Sequence, residues 1–405
     1  MTKTNIKQAV ILAGGRGERL RPLTDTIPKP MIPINGKPFL EYLIEMLKEQ
    51  GILEILLLTG YLPEKIAEYF GNGSKFGINI KYSVLPLFDE SGFEQESGTR
   101  IKEASHLLDN VFLLMYCDNY WPLDLRKLSD FYFEQRKLAS VVVYTNKDDF
   151  TKNNILVDDK GFVVKYDRSR QNPNLNGVEI GFFIINKKVL EIFPEHKFHF
   201  EKEILPQLLE KRELVGYLTD HRYYSISTPE RVGLTKKFLQ PQKVIFLDRD
   251  GVINKRPPKA DYVKTWKEFQ FLPGAIEGLK LLAENNYDIF IISNQPGIVR
   301  RAMTEKDLLD IQNKMEEKLR KNSIKIAGTY YCLHNWDDGC ECRKPKPGLL
   351  FQAAREHDIN LKKVIFIGDD ERDIQAGEAA GCKTILIGAE ENLFEIVKSK
   401  IIPEI

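Results

Sequence analysis

The sequence predicts two three-layer α/β domains in tandem, and three observations carry that prediction. At 405 residues the chain is too long for one ordinary hydrophobic core. Short apolar runs alternate with stretches of helical periodicity, the pattern of parallel strands joined by crossover helices. Several of those runs end abruptly in glycine or aspartate, where open α/β sheets place their ligands. The boundary is expected at Leu239-Gln240-Pro241-Gln242, a short polar linker, giving domains 1–238 and 243–405.

Composition narrows the function classes. The formal net charge is +1, so no basic or acidic field favours nucleic acid. Met1 to Gln8 is polar and leads straight into a strand, and no apolar run approaches a membrane span. A cytoplasmic chain without a membrane partner is expected. Of five cysteines, Cys332, Cys340 and Cys342 fall close together beside His334. Without an export signal, such a cluster reads as metal ligation before disulfides.

In the first domain, Ala9 to Leu12 is a short strand followed at once by Gly14-Gly15-Arg16-Gly17. Glycines there let the backbone approach a phosphate, and Arg16 and Arg21 add charge for a polyphosphate. Pro28-Lys29-Pro30 stiffens the chain around a further cation. Pro38 to Gln50 and Pro63 to Phe70 read as helices, and Ile52 to Leu58 and Ile78 to Val84 as strands. Val111 to Tyr116 is a strand ending in Cys117-Asp118. A carboxylate there suits a hard cation, or equally caps a helix over Leu123 to Phe133.

The loop from Gly14 to Thr24, with Pro28-Lys29-Pro30, resembles the signature of sugar-1-phosphate nucleotidylyltransferases. That resemblance implies attack of a sugar 1-phosphate on the α-phosphorus of a nucleoside triphosphate, with release of pyrophosphate. It implies that Gly14, Gly15, Gly17 and Arg16 hold the triphosphate and that Lys29 contacts the reacting phosphates. Asp118 stands at the family's magnesium position, and Glu179 lies in a segment resembling the sugar-contacting strand. Glu96 to Arg100 falls where the family reads the base, with Arg100 replacing a small residue. In Tyr224-Ser225-Ile226-Ser227-Thr228-Pro229-Glu230, Ser225 replaces the second metal-binding aspartate. Two readings follow: a transferase whose metal is held by Asp118 and the nucleotide phosphates, or a non-catalytic domain that binds nucleotide or sugar phosphate and regulates the second domain.

The second domain opens with Lys243 to Leu247, an apolar run ending in Asp248-Arg249-Asp250-Gly251. A turn at Gly251 could swing both carboxylates into one crevice; a plain Asp-Gly turn is the simpler alternative. Ala275 to Asn285 reads as a helix, and Tyr287 to Ile292 as a strand ending in Ser293-Asn294. Thr304 to Arg320 is an amphipathic helix capped by Thr304, and Val364 to Ile367 a strand ending in Gly368-Asp369-Asp370. Glu391 to Lys400 is expected as a surface helix.

A carboxylate attacks phosphorus only if the phosphate charge is neutralised and the leaving oxygen protonated. Asp248 would be the nucleophile, and Asp250 the acid for the leaving alcohol and then the base for water. Ser293, Asn294 and Lys344 would bind the phosphoryl group; Asp248 and Asp369, with Asp250 beside them, would hold magnesium. Cys332, His334, Cys340 and Cys342, in loop 332–342, offer three sulfurs and one nitrogen, a set suited to structural zinc. That loop runs directly into Arg343-Lys344, so zinc would fix where those cations point.

In this order the four segments resemble the haloacid dehalogenase (HAD) superfamily, so both domains are expected to be Rossmann-like, the second HAD-like with no large cap. Substrate selection then falls to short loops such as Asp261 to Lys267. The zinc loop, Asn294 to Arg300 and Cys342 to Gly348 resemble the D-glycero-D-manno-heptose 1,7-bisphosphate 7-phosphatases; histidinol-phosphate phosphatases share the zinc loop. The resemblance places Arg300 and Arg343 on the substrate's other phosphate or its hydroxyls. Removing the 7-phosphate leaves a heptose 1-phosphate, the acceptor that a heptose-1-phosphate guanylyltransferase-like domain needs. The expectation is a bifunctional enzyme of sugar-nucleotide biosynthesis for bacterial surface polysaccharide, using magnesium, structural zinc and a nucleoside triphosphate.

Overall fold

The computed structural model describes residues 6–90, 92, 95–258, 261–388 and 390–402. It divides into two compact units, Met1–Leu239 and Gln240–Ile405. Leu239 follows the helix Pro229–Phe238 and is buried in the first core, whereas Gln242 donates to the Asp358 carbonyl of the second unit.

The first unit is built on a seven-stranded sheet in the order Leu214–Thr219, Ala139–Tyr144, Val178–Asn186, Val111–Tyr116, Gln8–Ala13, Glu54–Thr59, Asn79–Val84. Only Val178–Asn186 runs antiparallel to its neighbours. Along Gln8–Ala13, Ala9, Ile11 and Ala13 enter one core and Val10 the other, so both faces of the sheet are covered. The helix Phe39–Glu49 buries Phe39, Leu40, Leu43, Ile44 and Leu47, a stripe at helical spacing, on one of those faces. The helix expected at Leu123 begins instead at Leu125, and Asp124 caps it by accepting from Lys127 N. Asp118 is therefore left free of the capping role.

The second unit is a fully parallel five-stranded sheet in the order Ile326–Cys332, Asp288–Asn294, Val244–Leu247, Ile365–Gly368, Lys383–Leu386. Its opening strand sits in the middle. The chain winds outward to one side, then returns to the other, which makes a crevice beside Leu247 at the strands' carboxyl ends. Thr304 closes a capping box with Asp307 at the head of Glu305–Arg320. The segment expected as a surface helix is packed instead: Leu393, Ile396 and Val397 are buried, and a Cβ on Gly278 would meet Leu393 at 2.9 Å. No helix of the described residues is long and apolar enough to cross a membrane.

Candidate active sites

At the carboxyl ends of Gln8–Ala13 and Val111–Tyr116 the first unit encloses a cavity of about 630 Å³ lined by Gly15, Arg16, Gly17, Lys29 and Asp118, among others. The Lys29 ammonium is paired with the Asp118 carboxylate. Gly17 has φ 71°, and a Cβ there would crowd Lys29 and Thr24 at 3.1–3.2 Å, so the turn that presents this lysine needs glycine.

Three expected residues lie elsewhere. Arg21 is exposed and pairs with Asp25 at 2.6 Å, which spends its charge on its own turn. Gly14 faces Arg100: a Cβ would come within 2.7 Å of the guanidinium. Arg100 is itself buried and donates to the carbonyls of Thr59 (2.8 Å), Pro86 (3.3 Å) and Leu85, so it ties those segments together against Gly14. Glu179 is buried and accepts from Gly181 N; it is not among the described residues lining the cavity. Burial, with Glu201 nearby, pushes its carboxyl up to about 8.

What the sequence reading missed is Glu201, which lines the cavity with Arg168 and His199. Glu201 accepts from Tyr166 Oη at 3.2 Å and lies 3.5 Å from Arg168. The polar-aromatic alternation in Phe198-His199-Phe200-Glu201 was the available signal. Ser225 is buried with its Oγ 3.0 Å from Ser227 Oγ, on a short strand paired with Asn119–Tyr120.

The second unit's cavity, about 680 Å³, gathers Asp248, Asp250, Ser293, Asn294, Arg300, Arg343 and Lys344 from separate strand ends and loops. Lys344 is buried; its Nζ lies 2.9 Å from Asp248 and 2.6 Å from Asp373, and donates to the Ile292 carbonyl at 2.8 Å. Burial would lower the pKa of Lys344, but the two carboxylates hold it above its ordinary value. Asp248 is pushed up to about 7, chiefly by burial, with Lys344 opposing.

One oxygen each of Asp248, Asp369 and Asp373 lie within 4.8 Å of one another. Asp373 was not singled out in the sequence. The signal was its place three residues after Asp370, whose N–H it accepts in a capping box at the head of Glu371–Ala380. Two glycines are required for this convergence: a Cβ on Gly251 (φ 103°) would lie 1.9 Å from Asp369, and one on Gly368 2.2 Å from Asp373.

The carboxylate of Asp250 does not join that trio, contrary to expectation. It is engaged by Arg249 (3.0 Å), Asn254 (2.8 Å) and Gln295 (2.5 Å). Asn294 also differs: its amide bonds both the N–H and the carbonyl of Lys344, so it braces that residue's backbone. Arg300 is held by Tyr262 Oη (2.7 Å) and Asn335 (2.9 Å) with Trp336 against its face, and Arg343 donates to the His334 carbonyl. An unforeseen cation, Arg256, spans Asp369 (3.1 Å) and Asp370 (2.6 Å) at the rim.

Cys332, His334, Cys340 and Cys342 form the other cluster. The sulfur separations are 3.3, 3.5 and 3.8 Å, His334 Nδ1 lies 3.2 Å from Cys342 Sγ, and all three cysteines are free thiols. Cys332 arrives on the strand Ile326–Cys332, which was not foreseen, and the other three residues gather at its end.

Both cavities thus lie where a sheet's strand order reverses, one beside a glycine loop and a lysine, the other among aspartates and a buried lysine. Residues 8–225 match the nucleotidyl transferase family model, and residues 341–394 the HAD-hydrolase-like model. The chain belongs to the nucleotidyl transferase family, and its second unit to that of the heptose-1,7-bisphosphate 7-phosphatases.

Among its relatives are two separate proteins of Campylobacter jejuni subsp. jejuni. One, the D-glycero-alpha-D-manno-heptose-1,7-bisphosphate 7-phosphatase, is 42% identical over 37% of this chain and 84% of its own length. The other, the D-glycero-alpha-D-manno-heptose 1-phosphate guanylyltransferase, is 34% identical over 55% of this chain and 96% of its own. A D-glycero-beta-D-manno-heptose-1,7-bisphosphate 7-phosphatase of Helicobacter pylori is 39% identical over 37% of this chain and 85% of its own. Relatives of both kinds are thus joined here in one polypeptide.

Proposed function

We propose that this chain carries out two consecutive reactions. The second unit removes the 7-phosphate of D-glycero-D-manno-heptose 1,7-bisphosphate, and the first transfers a nucleotidyl group, expected from GTP, to the heptose 1-phosphate so formed. The observation that carries the first step is Lys344, buried between Asp248 and Asp373 at the crevice.

Asp248 would attack phosphorus, with Lys344 beside it to take up phosphoryl charge. Asp250, held on both oxygens, would protonate the departing sugar oxygen and then deprotonate water. Arg300 and Arg343 line the same cavity and would receive the second phosphate. Asp248, Asp369 and Asp373 would hold magnesium; three crowded carboxylates, with Asp369 Oδ1 lacking a partner among the described residues, fit a divalent cation. Bound there, magnesium supplies charge neutralisation between nucleophile and phosphate. Zn–S bonds of about 2.3 Å imply tetrahedral sulfur–sulfur edges of about 3.8 Å, and the cluster's 3.3–3.8 Å fits that set. Cys332, His334, Cys340 and Cys342 would then hold structural zinc.

In the first unit, Gly15, Gly17, Arg16 and Lys29 would bind the triphosphate, and Asp118 its magnesium. A specific observation supports a second reading: the Ser225 hydroxyl is buried against Ser227, a neutral group where a carboxylate is expected. The unit would then bind nucleotide or sugar phosphate and regulate the phosphatase. Both phosphorylated substrates suit a cytoplasmic location. Phosphate release from heptose bisphosphate and histidinol phosphate, and pyrophosphate release from each triphosphate with heptose 1-phosphate, test these readings. Faster release from histidinol phosphate would sink the heptose assignment, and nucleotide binding without turnover would favour the regulatory one.

A further inference from the structure

We propose that Gln295 is a positioning residue that sets the proton-handling carboxylate of Asp250 for phosphate esters of ordinary alcohols. The inference rests on reading Asp248 as nucleophile and Asp250 as acid and base.

Three side chains donate to Asp250, and two belong to its own turn. Arg249 and Asn254 lie within four residues of it, so they move with that turn wherever it goes. Gln295 comes from a different strand end. Its Nε2 is 2.5 Å from Asp250 Oδ2 and 3.1 Å from Ser293 Oγ, and the residue is only 2% exposed. Its backbone N–H donates to the Cys332 carbonyl at 2.7 Å, at the head of the cysteine–histidine loop. Gln295 is therefore anchored at both ends, and its amide ties Asp250 to a strand end that lines the phosphate side of the cavity. As a neutral donor it fixes direction without adding charge. The amide contributes through Asp250.

The chemistry tells what that direction is for. When Asp248 bonds to phosphorus, the bond from phosphorus to the sugar oxygen breaks, and that oxygen takes the Asp250 proton. In the return step Asp250 takes a proton from water, whose oxygen bonds to phosphorus as the bond to Asp248 breaks. An alkoxide leaves poorly without the proton, whereas p-nitrophenolate leaves without it. A fault in the aim of Asp250 must therefore slow formation of the phosphoenzyme from the sugar ester and spare it from the aryl ester.

The test uses the full chain with Gln295→Met, which keeps the size and removes the donor. With heptose bisphosphate, kcat should fall about 30-fold or more, since general acid catalysis contributes roughly 10²–10⁴, while KM moves less than about threefold. With p-nitrophenyl phosphate, the rate of the pre-steady-state burst should stay within about threefold. Gln295→Glu adds a second readout: protonated, the new carboxyl donates to Asp250, so sugar-ester turnover should recover as pH falls. Equal losses on both esters, a Gln295→Glu pH profile parallel to that of the unaltered chain, or an undiminished kcat on the sugar ester would each overturn the inference. An unaltered chain that cleaved neither ester would instead remove the phosphatase reading on which it rests.

Discussion

Lys344 and Asp248 form an ion pair at 2.9 Å in which both partners are buried. Such a pair is weak evidence for stability, because desolvating two charges consumes most of what their attraction returns. It makes sense as chemistry, since a phosphoryl group entering this crevice finds its nucleophile and its counter-charge already assembled.

Removing that counter-charge should be severe. Lys344→Ala leaves Asp248 and Asp373 facing each other with no shared cation, a kind of change that costs about 3–5 kcal/mol in buried pairs. Phosphate release should fall at least about a thousandfold. Calorimetry should show a lowered transition for the second unit while nucleotidyl transfer persists.

Arg100 should matter for folding of the first unit. It donates to the carbonyls of Thr59, Leu85 and Pro86 and packs against Gly14. Arg100→Ala removes a buried side chain with its bonds to three carbonyls and opens space against Gly14 and Gly60, a loss of about 2 kcal/mol or more. Chemical denaturation of the first unit measures it; a shift under about 0.5 kcal/mol would contradict the bracing role.

The buried Glu179 predicts a pH dependence. Its carboxyl holds a proton to about 8 in the native state, against about 4.5 for the ordinary value. Native protonation stabilises relative to the unfolded chain, so its contribution is full below about 4.5 and is lost progressively as pH climbs to about 8. Glu179→Gln should flatten that decline, raising the first unit's melting temperature at pH 8 more than at pH 5. Equal shifts at both pH values would contradict it.

The cysteine–histidine cluster predicts a metal stoichiometry. Elemental analysis should find about one zinc per chain, lost in Cys340→Ser, which removes one of three thiolates. Because Arg343 bonds the His334 carbonyl and Asn294 bonds Lys344, that variant should also lose phosphatase activity by about tenfold or more. Full activity in a zinc-free variant would break the link between the cluster and the phosphate-binding cations.

Much of both sites was legible because short apolar runs stopping at glycine or aspartate mark strand ends, and strand ends at a reversal of order meet in space. Asp248 and Asp118 follow from that punctuation, whereas Ser293, Lys29 and Lys344 were legible from the polar segments Ser293-Asn294, Pro28-Lys29-Pro30 and Arg343-Lys344-Pro345 and the resemblances they carry. The residues that escaped depend on tertiary convergence. Asp373 becomes a neighbour of Asp248 only because a helix starts immediately after Asp370; Glu201 reaches its cavity from a segment far along the chain. Arg21 and Gly14 belong to the recognised motif, yet Asp25 in the same turn and Arg100 far along the chain take them out of the cavity. The strand Ala139–Tyr144 has no glycine or aspartate at its end to announce it, and Leu214–Thr219 and Ile326–Cys332 are interrupted by Gly216 and Gly328.

Two sites in one chain is the central claim, and paired variants test it most directly. Asp248→Asn and Lys29→Ala should each be assayed for phosphate release from heptose bisphosphate and for pyrophosphate release from GTP with heptose 1-phosphate. The two-site account predicts that Asp248→Asn abolishes only the first activity and Lys29→Ala lowers only the second, by about a hundredfold or more. Loss of both activities in either well-folded variant would contradict it.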